Sequence, residues 1–396
     1  MNGEKGLRAL AVVALCLLIY WPSLKNGYIW DDDQYVYHNP AVTQPGGIND
    51  IWLTHNMPQY YPLVFTLFRL EHMTWGDAPA GYHAVNMVLH MANALMLMAV
   101  LALVAPAVSF AAALLFAVHP IQVETVAWIT ERKNLLALFF LLSASLFYLR
   151  FYRTSRPGNG FAAFLFYLCA LLSKSAAAWF AIVPMVHAWW ATGRVTRKDL
   201  VLGLPFLLTG AAAGLHTAWL EATKVGAAGE TWNLDILAHI LLASRISVFY
   251  LYKALVPLEF VFFYPRWSIS PTAWWQWIFP VMVIGAIIGA ILTRGQTRRA
   301  GPALLLLYGA ALFPVLGFFS VYPMRFSYVA DHFAYLASPV IFLAIGASAG
   351  IAWSKIRVRF SAHGRTATIA KWSGRCAAVL VITLLSVKSA SLVNNY

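Results

Sequence analysis

Apolar runs long enough to cross a bilayer alternate with short polar stretches along this chain, and the alternation predicts membrane-spanning helices. Residues 7–22 form the first run, behind Lys5 and Arg8; no small-residue cleavage site follows, so it reads as an uncleaved span rather than a signal peptide. A long first outer loop, about residues 23–81, comes next, and Tyr60 to Met73 within it is amphipathic enough to lie in the interface. Further spans are expected at 81–104, up to His119-Pro120, up to Arg150, at 161–173, up to Arg194, and at 200–219, 273–292, 302–319, 333–353 and 376–392. The run 236–256 differs, because Arg245 sits in its middle and Lys253 near its end. Letting it cross would carry Arg294, Arg298 and Arg299 outside, so a half-buried or interfacial helix on the outer side is expected there. The whole pattern predicts an all-α polytopic membrane protein, one transmembrane domain over residues 1–396 with about eleven spans, N-terminus inside and C-terminus outside.

Composition narrows the class. Apolar residues make up 61% and charged residues 11% of the chain, with mean hydropathy +0.67, which excludes a soluble globular domain. Cys16, Cys169 and Cys376 all fall in apolar segments without metal-ligand or disulfide spacing. The net charge of +13 is a matter of topology. Basic residues collect in the inside loops, above all in Lys355, Arg357, Arg359, Arg365, Lys371 and Arg375, whereas Glu4 and Asp199 are the acids expected there. Nucleic acid drops out as a partner.

The unusual polar residues gather on the outer side. Asp31, Asp32 and Asp33 lie roughly ten residues past the first span, close enough to be held at the interface. Adjacent carboxylates repel, so one can be poised as a base while its neighbour orients it; an acidic loop capping the membrane exit is the equal alternative. His119 to Glu124 and Trp128 to Asn134 place a histidine, two acids and the bases Arg132 and Lys133 on one short loop, suited to a phosphate or else to snorkelling at a helix start. Lys174, in a turn between apolar spans, is costly there and reads as functional. Arg245 and Lys253 share a helical face and suit an anionic headgroup, whether of a substrate or of ordinary lipid. Arg325, Asp331 and His332 offer a cation, an acid and a titratable group before the next span, or an ion pair fixing a loop. His187 and His216 read as packing residues.

Several stretches are recognisable together: Trp30-Asp31-Asp32 with Tyr35 and Asn39-Pro40; Tyr60-Tyr61-Pro62-Leu63; Gly81-Tyr82-His83 with Asn86 and His90; His119-Pro120 with Glu124 through Glu131-Arg132-Lys133-Asn134; Ser173-Lys174; Phe263-Tyr264-Pro265; and Met324-Arg325 with Asp331-His332. In this order they resemble the bacterial GT-C superfamily glycosyltransferases related to the transmembrane-and-TPR O-mannosyltransferases. Ser175-Ala176 departs from the threonine-valine that often follows the Ser-Lys pair. Relatives usually continue into tetratricopeptide repeats, whereas this sequence stops at Asn394-Asn395-Tyr396, so the expected domain carries no TPR part.

The resemblance implies a GT-C-like bundle in a bacterial inner membrane, its active site on the periplasmic face. It implies inverting transfer of a monosaccharide, mannose among the candidates, from a polyprenyl-phosphate donor to a hydroxyl of a secreted or membrane protein. Asp31 is the first choice for general base and Asp32 the second. Arg132, Lys133, Lys174, Arg245 and Arg325 form the pool for a phosphate clamp, His83, His119 and Glu124 order the site, and Tyr61, Asp331 and His332 join them in binding the lipid phosphate or the sugar. No ligand set demands a metal, although paired acids can bind a divalent one. A glycolipid or polysaccharide acceptor, and a non-catalytic scaffold or transporter of lipid-linked intermediates, are the alternatives. Transporters tend to place ionisable groups at mid-membrane on broken helices, and here they sit at the outer ends.

Overall fold

The computed structural model describes residues 2–54, 57, 59–221, 223, 234–293, 298–319, 321–360 and 364–396, and contains helices and no strand among them. Eight of these helices are long and apolar enough to cross a membrane, nine if one bent pair counts as a single span. The chain is a multi-pass membrane protein. That number is below the expected eleven because several apolar runs are interrupted rather than continuous. The run ending at His119-Pro120 bends by 59° between Ser109–Val118 and Pro120–Ala127. Proline pushes the preceding residue out of the helical region, and His119 is extended, with φ −75 and ψ 134. The sixth run is a 3-10 helix, Ser175–Ile182, followed by Val183–Thr192 with Pro184 in its first turn. The ninth shortens to Ala300–Leu312 before a 3-10 turn that contains Pro314.

Ile236–Leu255 is a continuous helix, itself long and apolar enough to cross a membrane, where a half-buried or interfacial helix is expected. Its His239 ring bonds the Gly317 carbonyl, and its Ala254 carbonyl accepts from His119 Nε2. The side chains of Arg357, Arg359, Arg365 and Lys371, and all of Arg294, lie outside the described part of the basic clusters.

The first outer loop is a folded cap. Asn39 accepts from the Ala41 amide to start the short Pro40–Thr43 helix, and Pro62 opens the amphipathic Pro62–Trp75 helix. Gly76, at φ 57, ends that helix in a conformation that favours glycine. Tyr35, Phe65, Phe68 and Tyr82 bury a satellite core beneath the cap. Asn86, His90 and Asn93, on one face of Pro79–Val104, bond backbone carbonyls in and beside the bent segment. Asn86 Nδ2 donates to Val126 O and Trp128 O, His90 Nε2 contacts Ala117 O, and Asn93 Nδ2 donates to Leu135 O. The segment 119–134 is thereby held as a fixed floor.

Candidate functional site

The cap, the floor and two later loops enclose a cavity of about 480 Å³, within the usual range of small-molecule sites. Asp31, Tyr35, Gln59, Glu124, Glu131, Lys133 and His332 are among the residues that line it, together with Phe262, Tyr322 and Phe326.

The two leading aspartates part company here. Asp32 is buried, and its Oδ1 accepts from the Thr130 amide at 2.8 Å and the Thr130 hydroxyl at 2.5 Å, while Oδ2 accepts from the Ile29 amide at 3.0 Å. It fastens cap to floor. Burial pushes its pKa up to about 6 despite these donors. Asp31 is half-buried on the cavity wall, and its Oδ1 makes no hydrogen bond. Burial raises its pKa above the usual 3.8, an effect that nearby Lys133 only offsets. A carboxylate oxygen without an internal donor, on a cavity wall, can accept a proton from an incoming group. Asp32→Ala is expected to lower stability by about 1–3 kcal/mol, because it strands the Thr130 donors; a melting temperature equal to wild type in detergent would count against the fastening role.

Glu131 is the hub of the charged wall. Fully buried in the 3-10 turn Ile129–Glu131, it sets Oε1 at 3.1 Å from Lys133 Nζ and 3.7 Å from His332 Nε2. Its Oε2 lies 3.9 Å from Lys174 Nζ and accepts from Asn134 Nδ2. Lys174 stands in the extended residue between Pro157–Ser173 and the following 3-10 helix, a break that turns it toward Glu131. Burial lowers the Lys174 pKa to about 8, even with Glu131 beside it. His332 is also 3.1 Å from Glu124 Oε1, and its amide donates to Glu124 Oε2 at 2.8 Å. Lys133 Nζ lies over the Tyr35 and Trp128 rings. Two ammonium groups thus share the one Glu131 carboxylate while Glu124 faces His332, and the lysine N–H groups not engaged with Glu131 suit an anion such as phosphate.

Of the expected site residues, Asp31, Glu124, Lys133 and His332 line the cavity, and Lys174 joins through Glu131. Tyr61 is buried beside them, hydrogen-bonded to Ser175. Arg325 is exposed between the lining residues Pro323 and Phe326. The others are elsewhere. Arg132 is fully buried, paired with Glu71, bonded to Asn86 and to the Tyr82 carbonyl, and laid over Phe68, so its charge is spent on joining the cap helix to the bundle. Arg245 stacks over Trp267 at 4.1 Å, with Trp275 and Phe279 behind, away from the cavity lining. His83 contacts the Gly27 carbonyl at 3.4 Å and His119 joins the Ala254 carbonyl at 3.1 Å; both are buried ties. Asp331 is buried and accepts from the Tyr264 hydroxyl at 2.9 Å. Among the described residues, no group of three or more His, Cys, Asp or Glu side chains comes together in metal-ligating geometry.

Sequence reasoning left out Glu131 as a site residue, along with Gln59, Trp128 and Phe262. The available signal was Glu131 standing next to two cations in a stretch otherwise too apolar to leave an acid unpaired.

No protein-family model matches the chain. It is 30% identical over 161 residues to the protein O-mannosyl-transferase TMTC4 of Homo sapiens, covering 34% of this chain and 22% of the relative. It is 32% identical over 187 residues to Tmtc1 of Drosophila melanogaster (44% and 22%) and 38% identical over 160 residues to TMTC1 of Homo sapiens (37% and 18%). The chain spans about a fifth of the length of these curated relatives. Among solved structures, the oligosaccharyltransferase of Archaeoglobus fulgidus matches with TM-score 0.53 at 14% identity, over 98% of this chain and 56% of that one. The chain is thus homologous in part to the O-mannosyl-transferases, and its fold is that of a GT-C bundle.

Proposed function

We propose that this protein is a GT-C glycosyltransferase that moves a sugar, mannose being the first candidate, from a polyprenyl-phosphate carrier to a hydroxyl on a protein acceptor, with inversion. The site faces the periplasm of a bacterial inner membrane. The observation that carries this reading is the pairing, in one cavity, of the unpartnered Asp31 Oδ1 with a wall of Lys133 and His332 around Glu131, behind which Lys174 meets the same carboxylate. The names of the relatives support the reaction class.

The chemistry follows from those two walls. Asp31 takes the proton from the acceptor hydroxyl as its oxygen bonds to the anomeric carbon. The bond from that carbon to the phosphate oxygen breaks, and its electron pair leaves with polyprenyl phosphate. Lys133 and Lys174 stabilise the charge that develops on the departing oxygen. Reconstitution of the purified chain with polyprenyl-phosphate mannose and a Ser/Thr-containing peptide tests it. Mass gain on the peptide is expected; mannose appearing only on lipid would overturn the protein acceptor.

The reaction needs Asp31 ionised and Lys174 charged. The rate is expected to rise with pH through a value above 3.8, the ordinary Asp figure, because burial has raised the Asp31 pKa. It is expected to fall near pH 8 as Lys174 loses its proton. Lys174→Arg should remove the alkaline limb, since a guanidinium stays charged throughout. An unchanged limb in that variant would take Lys174 out of the clamp.

A further inference from the structure

Trp30, next to Asp31 in the chain, has left-handed backbone geometry at φ 49. Such a conformation costs a bulky residue about 1–3 kcal/mol and persists only where its surroundings fix it. The indole lies at the cavity, 57% exposed. Its ring meets those of Phe263 at 4.9 Å, Phe262 at 6.0 Å and Phe326 at 6.3 Å. Phe263 and Phe326 are themselves exposed and 5.9 Å apart. From Phe262 the ring contacts run inward to Trp128 at 5.0 Å, over which Lys133 Nζ stands at 5.8 Å. The cavity is therefore polarised, with cations at a buried end and an aromatic shelf at an open one. Asp31 serves both, adjoining Trp30 and interacting electrostatically with Lys133, Glu131 and His332.

We propose that the shelf of Trp30, Phe263 and Phe326 docks a polypeptide acceptor, gripping an apolar residue about two positions from the hydroxyl to be modified. The proposal rests on the reading above that the cations hold the leaving phosphate. Inverting displacement brings the nucleophile to the face of the sugar opposite the leaving group, so an acceptor enters from the end away from the cations. That end is the shelf. A membrane lipid is a poorer occupant, because Asp31 and Asp33 share the lining, and carboxylates are disfavoured against hydrocarbon. An extended peptide advances about 3.3–3.6 Å per residue. A side chain two places from the hydroxyl thus stands about 7 Å away, a reach that suits a shelf whose Trp30 is the chain neighbour of Asp31.

The test is peptide binding to the full chain in lipid nanodiscs. Two synthetic peptides carry one Thr each, with Phe or Gly two residues from it. The Phe peptide is expected to bind about tenfold or more tighter, as burial of an aromatic side chain provides. Trp30→Ala and Phe326→Ala should each erase that preference, Trp30→Phe should keep most of it, and affinity for polyprenyl phosphate in the same samples should stay at the wild-type value. A wild-type chain without the preference, or variants that retain it, would overturn the docking site. Variants that lose polyprenyl phosphate affinity instead would reassign the rings to the donor. Ring-dependent peptide binding with no sugar transfer by the wild-type chain would keep the docking site and remove the transferase reading; transfer with an acceptor KM indifferent to the rings would do the reverse.

Discussion

Asp31→Asn is expected to reduce sugar transfer by about 10²- to 10⁴-fold, the usual contribution of a positioned base, while raising the melting temperature at neutral pH. The two effects have one cause. Oδ1 of Asp31 has no hydrogen-bond partner, and burial lifts the carboxyl pKa above 3.8. A folded-state value above the unfolded one means that the folded protein holds this proton more tightly. The stability it contributes is fully present below the unfolded value and is lost as pH rises through the raised one. At neutral pH the ionised group therefore destabilises the fold, and an amide of the same shape removes that penalty. Activity falling while stability rises marks a group retained for chemistry. Transfer at the wild-type rate by purified Asp31→Asn would remove Asp31 as the base. A melting temperature that drops along with transfer would show the residue to be structural.

Glu131→Gln should have the largest effect on stability, about 3–5 kcal/mol, because it leaves buried ammonium groups without their counter-charge. The amide keeps the shape of the carboxylate but removes the negative charge shared by Lys133, Lys174 and His332. Donor KM is expected to rise as well, since the cations lose the group that sets their positions. Glu71→Gln is the control. It breaks a buried pair away from the cavity, with Arg132 beneath the cap, and should lower the melting temperature without changing the affinity of the folded protein for polyprenyl phosphate. Thermal melts in detergent, read beside donor titrations, separate these outcomes. Glu131→Gln with wild-type stability would mean that the lysines are held by something other than this carboxylate.

The division between legible and illegible residues follows from distance along the chain. Residue type and local spacing were enough to identify most of the apolar helices, the amphipathic cap helix and the acidic run beside the first span, because hydropathy and helical period act over a few turns, but not the breaks that interrupt several of the apolar runs. They were also enough to single out Lys174, since a lysine near hydrocarbon is conspicuous in isolation. They did not separate Asp31 from Asp32. Both are identical side chains in one turn, and what distinguishes them is Thr130, 98 residues away, whose amide and hydroxyl both reach Asp32.

Arg132 and Lys133 pose the same problem. Neighbours in sequence at the start of one helix, they point to different surroundings, Arg132 toward Glu71 in the cap and Lys133 toward Glu131 on the cavity wall. A charge announces that it needs a partner, but the partner is chosen by packing between distant segments. The sequence by itself determined a polytopic helical membrane protein with its chemistry-bearing residues in a few loops, because the bilayer demands long apolar helices and makes every buried charge stand out. Only the tertiary structure decided which of those charges are spent on holding the fold and which face the cavity, because that depends on hydrogen-bond and ion-pair distances that no local pattern encodes.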